Sequence, residues 1–135
     1  MRFKISTKGF NDFVNITEEV SNTVRKSNVK DGFCLISCPG STTGITTIEN
    51  DPNLLEDFKE FLEKIAPSDK VYHHDKTWGD RNAAAHLKSA LIKPFLTVPI
   101  ESGKLFLGTW QQIIFIDFDD RPREREILIK IISSN

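Results

Sequence analysis

The segment IIFIDF, Ile113 to Phe118, constrains the fold more than any other stretch of this chain. Side chains alternate along a strand, and here both alternating sets are apolar, so the strand has to be covered on each face. A sheet with one solvated side does not satisfy it. The cover comes either from the rest of the chain or from a neighbouring subunit.

Other runs fit around that strand. FLTVPI, LFLG, TWQQIIFIDF and EILIKII are separated by the turns ESGK and DDRP, which implies neighbouring antiparallel strands punctuated by Gly103 and Pro122. RFKIST alternates Phe3 and Ile5 with polar residues, FCLISC follows the turn Asp31-Gly32, and ITTIE spans Ile45 to Glu49. VYHH also reads as a strand, followed by the loop DKTWGD. Helical spacing is carried by Ile16, Val20 and Val24 behind a capping box of Asn15 and Glu18. A second helix opens at Asp51-Pro52, with Leu54, Leu55, Phe58, Phe61, Leu62 and Ile65 on one face. A third, alanine-rich, runs from Asn82 to about Leu91, capped by Asp80 or Asn82.

Two or three helices among eight or so strands define an α+β fold, its antiparallel sheet folded over as a β-sandwich or open barrel. With no repeat or linker in 135 residues, positions 1–135 are expected to form a single domain. Eighteen Lys and Arg against nineteen Asp and Glu argue against a nucleic-acid or membrane surface and leave a small molecule or protein as partner. The N-terminus lacks a signal-peptide pattern and no run approaches the ~18 apolar residues of a membrane span, so a cytoplasmic protein is expected. Cys34 and Cys38, four apart on one strand, read as buried thiols.

All three histidines fall in YHHDKTWGDRNAAAHL, Tyr72 to Leu87. If Tyr72 to His74 is extended, His73 and His74 point to opposite faces and one alone can enter a site. Asn82 and His86, four apart on a helix, share a face. A pocket can therefore combine His86 and Asn82, one histidine of the pair, and Asp75 or Asp80. Two imidazoles and a carboxylate suit Zn²⁺, Mn²⁺ or Fe²⁺, and serve equally as an acid–base pair, with solvated or structural histidines as the plain alternative. Trp78 beside Gly79 is either an aromatic lid or a packing residue.

Three further clusters are polar. PGSTTG offers an anion cradle from backbone N–H groups with Ser41, Thr42 and Thr43, or simply a tight turn. GTWQQ needs partners for its amides, from a core network or from a ligand. Arg123 and Arg125 of RPRERE share a strand face and can pair with phosphate or end a solvated hairpin. Glu49 lies before a helix, where the dipole favours its charge.

Taken together, GSTTGITTIENDP, YHHDKTWGDRNAAAHLKSAL and VPIESGKLFLGTWQQIIFIDFDDRPRER resemble the YjbQ family, the secondary thiamine-phosphate synthase family, over nearly the whole chain. The resemblance implies a sandwich-like subunit, a homotrimer and a cleft where histidines hold a metal. It matches His74 to the family's histidine after the aromatic residue, Asn82 and His86 to its N-x-x-x-H, and Glu49 to the acid after the T-I strand. Thr109, Trp110 and Gln111 match its G-T-W-Q block. Many members carry histidine where this chain has Gly40 and Ala84, so the pocket here either recruits oxygen from Glu49 or Asp80 or holds no tight metal.

The function implied is a transfer joining a pyrimidine-methyl diphosphate to a thiazole phosphate with release of pyrophosphate. His86 and Asp80 are its expected catalytic residues. His74, His86 and Glu49 would hold a divalent ion, Zn²⁺, Mg²⁺ or Mn²⁺. Ser41, Thr42, Thr43, Asn82, Thr109, Trp110, Gln111, Arg123 and Arg125 would bind the phosphorylated substrate. A metal-dependent hydrolase of another phosphorylated metabolite and a non-catalytic ligand-binding trimer are the alternatives.

Overall fold

The computed structural model describes residues 1–134. In chain order the elements are β1 (Arg2–Thr7), β2 (Asp12–Asn15), α1 (Thr17–Ser27), β3 (Gly32–Ser37), β4 (Thr43–Ile48), α2 (Pro52–Ile65), α3 (Asp75–Trp78), α4 (Ala83–Ile92), β5 (Phe95–Glu101), β6 (Lys104–Leu105), β7 (Gln112–Asp117) and β8 (Arg123–Ser133). The strands form two antiparallel sheets, ordered β1-β8-β3-β5-β6 and β2-β7-β4. The α+β sandwich is thus as expected, but its strand order is not sequential. Of the last four strands only β5 and β6 pair with each other; β7 pairs with β2 and β4, and β8 with β1 and β3.

The reason lies in β7 itself. Ile113 and Phe115 enter a core shared with Cys34, Ile36, Val98, Ile127 and Ile129 of the larger sheet and with Ile16, Val20 and Val24 at α1. Ile114 and Ile116 enter a second core with Leu62 of α2 and Ala85 of α4. A strand apolar on both faces is most fully covered at the centre of the middle layer, with a sheet on one side and helices on the other. The chain supplies both covers, so this pattern by itself does not call for a second subunit.

Helix starts follow local chemistry. Asp51 accepts a hydrogen bond from the Leu54 N–H at 2.9 Å and Pro52 occupies the first turn of α2. At α1 the expected capping box is absent: Asn15 Oδ1 accepts from the backbone N–H and hydroxyl of Thr17, and the cap residue Ile16 has no side-chain bond to give. The apolar face of α2 is wider than the surface it covers, leaving Phe61 56% and Ile65 49% exposed.

VYHH is not a strand. The Asp75 carboxylate accepts from the Tyr72 N–H at 3.0 Å, and the Asp75 and Lys76 N–H groups donate back to Tyr72 and His73 carbonyls, closing a turn that runs into α3. The expected loop DKTWGD is therefore helical from Asp75 to Trp78, and Gly79 ends it with φ 72°.

Candidate functional site

Helix α4 lies against β4 and positions the candidate residues. His86 sits one turn beyond Asn82, and its ring meets that of His74, the cap residue of α3, edge to face with centroids 5.0 Å apart. His73 is exposed, so His74 is the histidine that turns inward, although the geometry that selects it is a turn rather than a strand. The pairing of two imidazoles from separate elements is the part of the expected site that the fold assembles.

Beside the pair, the start of α4 borders a cleft of about 490 Å³. Arg81, Asn82, Ala84 and Ala85 form one wall; Phe10, Asn11, Phe118 and Asp120 contribute the other, with Glu63 alongside. A smaller cavity of about 290 Å³, bordered by Asp80, Asp119 and Arg121, shares Asn82 and Asp120 with it. Asp80, expected in catalysis, lines this smaller space. The imidazoles stand next to the cleft, one turn along α4, and do not form its walls.

Several groups here were not singled out from the sequence. Lys88 is only 2% exposed; its ammonium pairs with Glu63 and lies 3.4 Å from the Ser68 hydroxyl. Burial alone would raise the Glu63 pKa, but the Lys88 and Ser68 hydrogen bonds outweigh it and hold the carboxyl below its usual range. Asp119 and Asp120 read as turn residues, yet their environments separate them. At Asp119 burial is outweighed by hydrogen bonds from Asp120 and by Arg123 and Arg125, so its pKa is lowered. Asp120 is raised by desolvation and by its Asp119 neighbour. The signal that was available is DDRP itself: adjacent carboxyls that cannot share one environment.

The substrate-binding residues expected from PGSTTG and RPRERE are drawn into a different structure. Arg125, 7% exposed, donates through Nε and Nη2 to both oxygens of Asp117 at 2.9 and 3.0 Å, and through Nη2 to the Thr42 hydroxyl at 2.8 Å. Thr7 donates to Asp117 at 2.6 Å, and Arg123 pairs with Asp119 at 2.8 Å. Asp117 continues the inward alternation of Ile113 and Phe115, as Arg125 continues that of Ile127 and Ile129 and Thr7 that of Phe3 and Ile5. Each strand ends its apolar face on a polar residue, and together they tie the two sheets. Thr43 is fully buried and Ser41 is exposed on the loop. Arg125 and Thr42 are therefore committed to the protein, and the expected phosphate contact from them is replaced by an internal one.

The G-T-W-Q block lies at the other end of β7. Gln111 donates to the Thr47 hydroxyl at 3.2 Å and accepts from the Gly108 N–H at 2.7 Å, while Thr109 is exposed and Trp110 is 71% exposed. Glu49 lies at this end too, directly after Ile48, which pairs with Gln112. The six residues of β7, about 17 Å at the usual rise, separate it from the Asp119–Asp120 turn beside Asn82. The expected ligand set of His74, His86 and Glu49 is thus not gathered within one chain. Among the described residues no three His, Cys, Asp or Glu side chains converge as a metal site. Two imidazoles are an incomplete shell for a tightly held divalent ion, so the donor set of one chain does not fit that group. Ala84 stands in the cleft wall, and a side chain at Gly40 would meet Arg125 Nη1 at 3.3 Å.

The fold and cleft define a class: a small antiparallel α+β sandwich whose middle sheet carries a helix-bounded cleft. A family model described as "UPF0047 protein YjbQ-like" matches residues 1–134, and the chain belongs to this YjbQ/UPF0047 family. It is 41% identical over 132 residues to a UPF0047 protein of Archaeoglobus fulgidus, covering 98% of this chain and 100% of the relative. A crystal structure of a YjbQ/UPF0047 family protein from Clostridium acetobutylicum superposes with TM-score 0.89 at 38% identity, covering 98% of this chain and 99% of the other. A YbjQ-like protein of Sulfolobus solfataricus gives TM-score 0.90 at 30% identity, covering 99% and 97%. No helix of the described residues is long and apolar enough to cross a membrane.

Proposed function

We propose that this protein is a cytoplasmic enzyme acting on a phosphorylated small molecule, with the His74–His86 pair as its acid–base centre. The observation that carries the reading is the 5.0 Å contact between these imidazoles beside a cleft of substrate size. Two imidazoles held in contact from separate elements can supply a proton acceptor and a proton donor to one bound substrate. The specific reaction proposed, on the strength of the YjbQ resemblance, is transfer of a pyrimidine-methyl group from its diphosphate to a thiazole phosphate. The ring nitrogen of the thiazole forms the new bond as the methylene–oxygen bond to the diphosphate breaks, and pyrophosphate leaves. The chain's own residues would orient the substrate and protonate the departing group; no step here is assigned to a metal.

The assembly proposed with this activity is the homotrimer that the resemblance implies. Phe33 and Ile132, paired on the outer face of the larger sheet and 41% and 48% exposed, are consistent with a further contact there. Sedimentation equilibrium tests it, and a monomer at micromolar concentration would remove the trimer.

The test of function is formation of thiamine phosphate from the two purified precursors, with and without added Mg²⁺, Mn²⁺ or Zn²⁺, beside His86→Ala. Loss of acid–base catalysis lowers the rate about 100-fold or more. Full activity in His86→Ala defeats the site, and absence of product from the unaltered protein defeats the reaction.

A further inference from the structure

The Arg125 network leaves a phosphorylated ligand without its expected partner, so the cleft must be read for its own polarity. Its walls differ in sign. At the start of the ten-residue α4, the first N–H groups have no intrahelical acceptor, and Asn82 makes no side-chain cap bond to them. Ala84 and Ala85 of this turn line the cleft without side chains large enough to block it. Arg81 stands beside them, exposed and without an ion pair among the described residues. This end favours an anion.

The opposite end favours a hydrogen-bond donor. Asn11 is only 8% exposed and lines the cleft, and its Oδ1 is buried with no hydrogen-bond partner among the described residues. On the helix wall, Asn82 Oδ1 is buried and unpartnered among the described residues as well. Buried carbonyl oxygens without donors are uncommon in folded proteins. Both belong to terminal amides, whose last torsion is soft, so modest rotation presents either oxygen to a ligand N–H. Asp120 adds an acidic group to the wall of Asn11 and Asp69 a second carboxylate to the lining, whereas Glu63 is already answered by Lys88. Phe10 and Phe118 add apolar surface to that wall.

We propose that the cleft is a bipolar site for a flat, phosphorylated amine, its phosphate at Arg81 and the start of α4 and its amine at Asn11 and Asp120 on the facing wall. This deepens the phosphorylated-substrate reading and rests on it, adding the amine as the second recognition element. The phosphate meets N–H dipoles and one guanidinium. The amine satisfies the orphaned Asn11 oxygen and a carboxylate that an uncharged hydroxyl compound would pair with less strongly.

Calorimetric titration with three matched probes tests this: pyridoxamine 5′-phosphate, pyridoxine 5′-phosphate and pyridoxamine. The first carries both groups, and each of the others lacks or replaces one. The expected result is binding of pyridoxamine phosphate at least tenfold tighter than either. Arg81→Ala should weaken the two phosphate esters at least fivefold and spare pyridoxamine; Asp120→Asn should weaken the two amines and spare pyridoxine phosphate. Equal affinity for the three probes, no binding of any, or indifference to both substitutions overturns the bipolar site. Turnover plays no part in this titration. The probe pattern without thiamine phosphate formation would sink the reaction and keep the cleft, and formation without the pattern would do the reverse.

Discussion

Two polar regions flank the middle sheet, and they treat similar residues in opposite ways. At the end of the sandwich, Arg125, Asp117, Thr42, Thr7, Asp119 and Arg123 are joined by hydrogen bonds of 2.6 to 3.3 Å, each with a charged partner. Around the start of α4, among the described residues, the oxygens of Asn11 and Asn82 are buried without partners and Arg81 has no ion pair, while two imidazoles meet by their rings. An arginine or an acid in the first region has spent its bonding capacity on the fold. In the second it retains capacity for something else. Availability, rather than residue type, separates a lock from a site.

The largest effect should come from breaking the lock. Arg125→Ala leaves Asp117, which has no solvent exposure, without its guanidinium partner. Stranding a buried charge in this way costs about 3–5 kcal/mol, to be read as a fall in the urea midpoint. A loss below about 1 kcal/mol would mean that the network is not sealed, and the contrast between the regions would fail. His86→Ala reverses the pattern. The proposed activity falls about 100-fold, while the urea midpoint moves by less than the equivalent of about 1 kcal/mol, because the half-buried ring carries no core packing.

How the sequence encodes these regions differs as well. Most strands, with α1, α2 and α4, were legible because periodicity and turn residues report on the backbone directly, and IIFIDF announced a doubly covered strand; β2, only four residues long, carried no such pattern. Partner choice was not legible, since pairing of β7 with β2 and β4 depends on which surfaces remain to be covered once the whole chain has folded. VYHH misled because its residues suit a strand, and the decisive event is Asp75 capping the turn from three positions away. At the site, the helix spacing of Asn82 and His86 carried their shared face, and the inward histidine was narrowed to two. Arg125 was misread because an arginine facing phosphate and an arginine facing Asp117 look alike until the strand ends are placed together. Asn11 offered no pattern; its importance arises from a lack of partners, which is a property of coordinates.

Acid should distinguish the two regions next. Asp119 in the lock and Glu63 beside the cleft both have lowered pKa values in the folded protein. A depressed carboxyl contributes stability above its unfolded value, near pH 4, and the contribution is lost as pH falls through the folded value. Asp120 has the opposite sign: with a raised pKa, its contribution is present at low pH and lost as pH rises. The thermal midpoint should therefore drop below about pH 4, and Asp119→Asn should flatten that drop more than Glu63→Gln. An equal slope in both variants would deny the lock its stronger electrostatic coupling.

The smallest expected shift concerns Asp120 and bears most directly on the contrast. A carboxyl whose charged form is disfavoured by desolvation and by Asp119 destabilises the folded state at neutral pH. Asp120→Asn should raise the thermal midpoint at pH 7 by one or two degrees, consistent with a few tenths of a kcal/mol. Binding of pyridoxamine phosphate should weaken in the same variant. A substitution that stabilises the fold while weakening the ligand is expected where a side chain is kept for binding at some expense to stability. If the variant is less stable instead, Asp120 belongs with Asp117 as a structural acid, and the boundary between lock and site has to move to exclude the Asp119–Asp120 turn from the cleft.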